Sequence, residues 1–126
     1  MIQFRVEGTP PSYNSAFKIN YNFRQCYLSP EAQHFKKRVK FMIQPSKWTE
    51  NCKFSLTIEY HKDWFYKNGK NRKEDLQNMD KLLIDAIFEQ IGIDDSNLWE
   101  LHETKIQDTV EHTMVTIREM DNGKSK

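Results

Sequence analysis

Hydrophobic and polar residues alternate along several parts of the chain, and a period of two is typical of half-buried strands. Residues 1–7 carry an apolar side chain at every second position, and residues 53–60 repeat the pattern with larger side chains. Residues 98–106 and 110–119 resemble a final pair of strands. The pattern therefore predicts about four strands.

Two further stretches carry hydrophobic residues at helical spacing. The first, over about 30–44, follows a serine and a proline that suit a helix start. The second, over 78–91, has apolar residues at i, i+3, i+4, i+7 and i+8 and is closed by Gly92. Together with the strands, these helices predict one small α/β domain of the α+β type over 1–120. It would contain a mixed sheet and two main helices, followed by a polar tail at 121–126.

Length and composition agree with one globular domain that works in the cytoplasm. The chain has 126 residues, a formal net charge of +1 and a mean hydropathy of -0.84. No apolar run approaches the roughly 18 residues that span a bilayer, and no basic start followed by an apolar stretch opens the chain. We therefore expect no membrane partner.

Cysteines and histidines are scattered along the sequence. Cys26 and Cys52 have no nearby partner and form no CxxC, which argues against a disulfide framework or a zinc ribbon. We expect the histidines to be surface or packed residues and not metal ligands; they are His34, His61, His102 and His112.

Positive charge is concentrated in two places despite the low net charge. Residues 61–73 hold five lysines and arginines, three aromatic residues and an Asn-Gly turn signal, which predicts a basic aromatic loop or hairpin. Its aromatic residues either stack on unpaired bases or pack in the core or a dimer interface. The first helix carries Lys36, Lys37, Arg38 and Lys40, which form either a solvated face or a nucleic-acid contact.

Acidic residues lie at both ends of the second helix. Asp75 precedes it, and Asp94 and Asp95 follow Gly92. A helix of about four turns separates its ends by some 20 Å, so shared chemistry requires the chain to fold back or a returning segment to bring the second group. Carboxylates brought together favour Mg²⁺ or Mn²⁺. Beside basic residues, such a pocket suggests phosphodiester hydrolysis.

Spacing alone favours structural roles for the same residues. Asp75 or Asn78 caps the helix under this interpretation, and the Asp94–Asp95 pair is a polar turn. At 100° per residue, Lys81 lies near Asn78 and Asp85 on the helix. Lys81 then either forms an ion pair with Asp85 or contacts the scissile phosphate.

Several motifs in order resemble the RusA family of Holliday-junction resolving endonucleases. PPSYN at 10–14 is similar to the family's PPSxN loop, and YLS at 27–29 resembles its next block. DLQNMDK at 75–81 resembles DxDNxxK, and LLIDAIFEQIGIDDSNL at 82–98 resembles the following helix and closing DD. Lys105 matches a later basic residue.

The resemblance implies a homodimer that binds four-way DNA junctions and makes paired nicks with Mg²⁺, for which Mn²⁺ can substitute. It implies that Asp75 and Asp95 are catalytic metal ligands and that Lys81 contacts the phosphate or transition state. Gln77 and Asp94 are further candidate metal ligands, and no small-molecule cofactor is expected. Candidate DNA contacts, from the resemblance and the basic loop, are Asn14, Lys70, Arg72, Lys73, Asn78 and Lys105. Prokaryotes and phages encode such enzymes.

Gln77 departs from the family pattern. It replaces an aspartate with a neutral amide that offers a metal one carbonyl oxygen and no charge. Either Glu74, Asp80, Asp85 or Asp94 supplies the missing charge, or the protein binds junctions with weak or lost cleavage. A third hypothesis is a general single-strand or RNA-binding module that uses the aromatic basic loop.

Overall fold

The protein is described by a computed structural model that covers residues 1–11, 17–20, 25–44, 48 and 52–120. Asn14 and the tail at 121–126 lie outside these residues, so the predictions made for them stay predictions. Within the described ranges, the elements in chain order are β1 (Ile2–Glu7), β2 (Phe17–Asn20), β3 (Gln25–Leu28), α1 (Pro30–Met42), β4 (Lys53–Lys62), α2 (Leu76–Ile91), a 3₁₀ turn (Asp95–Asn97), β5 (Leu98–Gln107) and β6 (His112–Met120).

The predicted strands form one mixed sheet in the order β1-β6-β4-β5. β4 and β5 run parallel, whereas β6 is antiparallel to both β1 and β4. The parallel pair needs a crossover connection, which α2 provides. This α+β architecture confirms the fold class predicted from the sequence. β2 and β3 form a separate antiparallel hairpin that the hydrophobic pattern did not predict.

Local sequence signals explain where each helix begins and ends. The Ser29 hydroxyl accepts a hydrogen bond from the Ala32 backbone N–H at 3.1 Å and caps α1. α1 ends at Met42, because Ile43 is already extended. α2 begins at Leu76, two residues earlier than predicted, and ends at Gly92, whose φ of 82° favours glycine.

Both helices pack on one face of the sheet. β4 supplies Phe54, Leu56, Ile58 and Tyr60 to this core, and the helices pack buried apolar residues against them. The alternation along β4 directs Glu59 and His61 to the opposite face. Near its end, β4 therefore presents Tyr60 to the core and Glu59 and His61 to the opposite face of the sheet. In the part of the chain that the structure describes, no helix is long and apolar enough to cross a bilayer.

Candidate active site at the start of helix α2

A cleft of about 360 Å³ opens where the loop after β4 leads into α2. Asp75 stands at the N-cap position, yet its carboxylate makes no capping hydrogen bond to the described first turn. The capping role considered from the sequence is therefore not what this carboxylate does. Asp75 remains exposed at the cleft, where the partial positive charge of the helix N-terminus favours an anion.

Cations line the same cleft. The Lys105 ammonium donates a hydrogen bond to the Glu74 backbone carbonyl and lies 4.8 Å from the centre of the Trp64 ring. The Glu74 carboxylate is already bound by Lys62, whose Nζ lies 3.0 and 3.1 Å from its two oxygens. Glu74 is therefore poorly suited to supply the charge that Gln77 lacks.

Arg72 adds a second cation to the cleft wall. Its guanidinium lies 5.0 Å from the centre of the Tyr66 ring. Its buried Nε has no hydrogen-bond partner among the residues that the structure describes. A buried guanidinium nitrogen without a partner is costly.

The basic aromatic loop predicted from the sequence forms a tight turn beside the cleft. Tyr66 and Lys70 are joined through their backbones by a 2.8 Å hydrogen bond, and Gly69 adopts a φ of 83° in the turn. Trp64 is buried in the core, whereas Phe65 and Tyr66 are exposed. The aromatic run is thus divided between packing and a surface available to a ligand.

A pair of carboxyl groups lies between α2 and β5. Asp80 and Glu103 are hydrogen-bonded to each other, and the Tyr60 hydroxyl donates to Glu103 Oε1 at 2.9 Å. Burial raises the pKa of Glu103 to about 7 and also raises the pKa of Asp80. Burial likewise raises the pKa of Tyr60, which keeps its hydroxyl protonated as a donor. Two carboxyl groups in contact need a shared proton or a cation between them.

Glu103 was missed in the sequence, and Asp80 was named only as one of several replacements for the missing charge. A segment after α2 does return toward the start of that helix, because β5 pairs parallel with β4, but it carries Glu103 and Lys105 and not the second aspartate expected from the sequence. A period of two over the predicted strand places these two residues on one face. That placement is the signal from which Glu103 could have been found.

Asp94 and Asp95 lie at the other end of α2. Sixteen helical residues span about 24 Å, and both aspartates line a separate depression with Asp85 and Glu89. Asp94 Oδ2 accepts a hydrogen bond from the Ser96 backbone N–H at 3.0 Å. Hydrogen bonds from Ser96 lower the pKa of Asp94. Within one chain, these aspartates are not brought to the cleft of Asp75.

The remaining predicted residues lie on the helices. Lys81 Nζ is 3.4 Å from Asp85 Oδ1, which is the ion pair considered from the sequence. Gln77 is exposed in the first turn of α2, one turn before Asp80. The Asn78 backbone N–H donates to the Asp75 carbonyl at 3.0 Å, closing the first turn.

The basic face of α1 is partly neutralised. Lys36 and Lys40 each lie 2.7 Å from a different oxygen of Glu89 on α2. Partial burial would raise the pKa of Glu89, but the hydrogen bonds and charges of these lysines outweigh it and lower the pKa. This contact favours the solvated and structural interpretation of the α1 face over a DNA contact.

Comparison with known proteins supports the resemblance noted in the sequence. The family model described as endodeoxyribonuclease RusA matches residues 7–118, which is most of the chain. A search of curated proteins finds no match. Because the family match covers most of the chain, including both helices, the strands β4 and β5 and the cleft, this chain belongs to the RusA family of endodeoxyribonucleases.

Proposed function

We propose that this protein is a structure-selective endonuclease that resolves four-way (Holliday) junctions by Mg²⁺-dependent phosphodiester hydrolysis. The observation that carries the proposal is the Asp75 carboxylate, which is free of a capping role and shares a cleft with Arg72 and Lys105. The RusA family, to which this chain belongs, acts on branched DNA. Because the substrate is DNA, we propose that it acts in the cytoplasm of a prokaryotic or phage-infected cell.

The chemistry of the donor groups fits Mg²⁺ or Mn²⁺. Asp75, Asp80 and Glu103 offer hard carboxylate oxygens from α2 and β5, which Mg²⁺ prefers. The raised pKa values of Asp80 and Glu103 mean that both anions lack a neighbouring positive charge strong enough to offset burial. We propose that these residues hold the ion and that Asp80 and Glu103 supply the charge that Gln77 lacks.

In this mechanism the basic residues hold the DNA backbone. Arg72 and Lys105 bind phosphate oxygens in the cleft, while Lys70 and Lys73 bind flanking phosphates from the loop. On DNA binding, Lys81 leaves its ion pair with Asp85 and contacts the scissile phosphate or the leaving oxygen. When bound, Mg²⁺ would supply the Lewis-acid chemistry that activates water and stabilises developing charge. The exposed Phe65 and Tyr66 stack on bases at the junction centre.

A homodimer is part of the proposal, because symmetric nicks across a four-way junction require two active sites related by a two-fold axis. We propose that Asp95 and Asp94 act across the subunit interface, at the metal site of the partner subunit. Within one chain, the length of α2 separates Asp95 from Asp75. Asp95 would therefore complete the cleft of its partner.

The alternative is a junction-binding protein with weak or lost cleavage. Gln77 favours it, since the first turn of α2 lacks a carboxylate that the family pattern contains. The two functions share the DNA contacts and differ in metal dependence.

A labelled four-way junction distinguishes the two functions. We expect paired nicks that require Mg²⁺ or Mn²⁺, and tighter binding to the junction than to linear duplex of the same length. Light scattering should give a molar mass of twice the 15.2 kDa of one chain. Tight junction binding without nicks at any metal concentration would support the alternative. Equal affinity for linear single strands or RNA would contradict both and favour the general binding module.

A further inference from the structure

A second cluster of potential metal ligands lies on the face of the sheet opposite the cleft. His61 near the end of β4 stands directly across from His112 at the start of β6. Asp108 follows β5 in the connection to β6, and its backbone N–H donates to the Lys62 carbonyl at 3.0 Å. The pairing register thus brings together three residues that the sequence separates by up to 51 positions.

The donor atoms of this cluster face one another. His61 Nδ1 lies 3.0 Å from Asp108 Oδ2, and the two imidazole rings stack with centres 4.1 Å apart and planes inclined by 17°. One ligand atom from each of the three residues lies within 4.8 Å of the others. His112 is nearly buried, and the His61 side chain is only 14% exposed.

Neighbouring groups fix the state of His112. Its Nδ1 lies 3.0 Å from the Val110 carbonyl oxygen, which only accepts, so Nδ1 must carry the hydrogen. Nε2 is then the nitrogen of His112 that is available to a metal ion.

Neighbouring groups orient the other two residues as well. His61 Nε2 lies 3.0 Å from Glu59 Oε1 and Nδ1 lies 3.0 Å from Asp108 Oδ2, so a carboxylate oxygen faces each nitrogen of the ring. Asp108 Oδ1 accepts a hydrogen bond from the Val110 backbone N–H at 3.2 Å, leaving Oδ2 toward His61. A metal ion would replace the proton of the hydrogen bond between His61 and Asp108. Carboxylate or carbonyl partners on the far nitrogen are how metal-binding histidines are held.

We infer that His61, Asp108 and His112 form a site for a divalent transition-metal ion, for which Zn²⁺ is the probe. Two imidazole nitrogens and one carboxylate suit Zn²⁺ and not Mg²⁺. Ligands of tetrahedral zinc lie about 3.4 Å apart, so binding draws the donors closer and turns the rings out of their stack. The ion would tie β4 to the β5–β6 connection. This inference does not depend on the proposed nuclease function.

The test uses untagged protein stripped with a chelator and then titrated with ZnCl₂ in excess Mg²⁺, which occupies sites made only of carboxylates. We expect about one Zn²⁺ per chain and a rise in melting temperature that follows the binding curve. Imidazole nitrogen NMR should report ligation at His61 Nδ1 and His112 Nε2. His61→Ala and Asp108→Asn should each weaken Zn²⁺ binding by at least about tenfold.

His102→Ala is the matched control, because His102 is an exposed histidine of β5 outside the cluster, and it should bind Zn²⁺ like the wild type. Asp108→Asn keeps the size of the side chain and guards against a variant that merely fails to fold, which circular dichroism checks. Wild-type protein without a Zn²⁺ site under these conditions, or cluster variants that bind as tightly as the control, would overturn the inference.

Discussion

The two ends of helix α2 both carry acidic residues, but in opposite electrostatic states. At the C-terminal end, hydrogen bonds from Ser96 lower the pKa of Asp94, and two lysines lower the pKa of Glu89. At the N-terminal end, burial raises the pKa of Asp80 and Glu103. The first group is stable as anions within the chain. In the second group, the charge of Lys81 near Asp80 does not outweigh the effect of burial.

This difference shows which carboxyl groups gain most from a cation. A carboxylate whose charge is already balanced by hydrogen bonds or lysines gains less from a metal ion than one whose ionisation is opposed by burial. When a metal ion binds a carboxyl pair that shares a proton, the pair gains the positive charge of the ion and loses only that proton. The N-terminal end of α2, with the uncapped Asp75 beside it, is therefore where we propose that a divalent ion binds.

The largest expected effect comes from Asp75→Asn. The substitution removes a proposed metal ligand and a full negative charge from the cleft while keeping the side-chain volume. We expect cleavage of a four-way junction to fall by about a hundredfold or more, with junction binding unchanged or tighter because phosphate is repelled less. Glu119→Gln, an exposed carboxylate at the far end of β6, is the control. Cleavage near the wild-type rate by Asp75→Asn would refute the assignment.

Asp95→Asn should be equally inactive if Asp95 acts across the dimer. The two inactive homodimers can then be mixed and allowed to exchange subunits. A heterodimer has one cleft with both aspartates and one with neither, so nicking should return to about a quarter of the wild-type level. No recovery after confirmed exchange would show that Asp95 does not complete the partner's site.

The sequence predicted the elements well because they have strong local signals. The alternation in β1 and β4 and the glycine after α2 locate these elements to within about two residues. The hairpin of β2 and β3 has strands of only four residues, which are too short for a period to show. Glu103 and the His61–His112 pair escaped notice because their chemistry depends on which strands become neighbours, and the sequence pattern does not specify that.

The basic residues near the two ends of α2 should contribute differently to DNA binding. Those near the N-terminal end should bind phosphates, whereas those near the C-terminal end are already paired with an acidic residue. Replacing Lys70, Arg72 and Lys73 by Ala should flatten the slope of log affinity against log salt by about 2 to 3 units. The control replaces Lys36 and Lys40, whose charges are already paired with Glu89. It should change the slope by less than about one unit. Equal changes in both variants would show that the loop is not a preferred DNA contact.

Glu103→Gln should alter stability in a pH-dependent way. The pKa of Glu103 is raised from 4.5 to about 7 in the folded state, so the free energy of unfolding should fall as pH rises through this window. Gln still accepts from Tyr60 and carries no charge. We expect the variant to be more stable than wild type by about 1 kcal/mol at pH 8, allowing for solvent screening, and equal to it near pH 4.

Urea unfolding without divalent ions measures this difference, and Glu100→Gln, on the other face of β5, is the control. Added Mg²⁺ should stabilise the wild type more than Glu103→Gln at pH 8, since the variant lacks one proposed ligand. The same stability difference at pH 4 and pH 8 would show that Glu103 does not carry the proton-linked penalty.

The smallest expected effect comes from Gln77→Asp, which restores the family's carboxylate. If Asp80 and Glu103 supply the missing charge, another aspartate one turn before Asp80 adds like charge to a pair already hard to ionise. The cleavage rate should then stay within about twofold of wild type or fall, at every Mg²⁺ concentration. Gln44→Asp, at an exposed position just after α1, controls for the added charge. A rate that rises most when Mg²⁺ is scarce would show that the pair does not compensate.

If wild type and Gln77→Asp are both inactive in Mg²⁺ and Mn²⁺ yet bind junctions, the junction-binding function is correct.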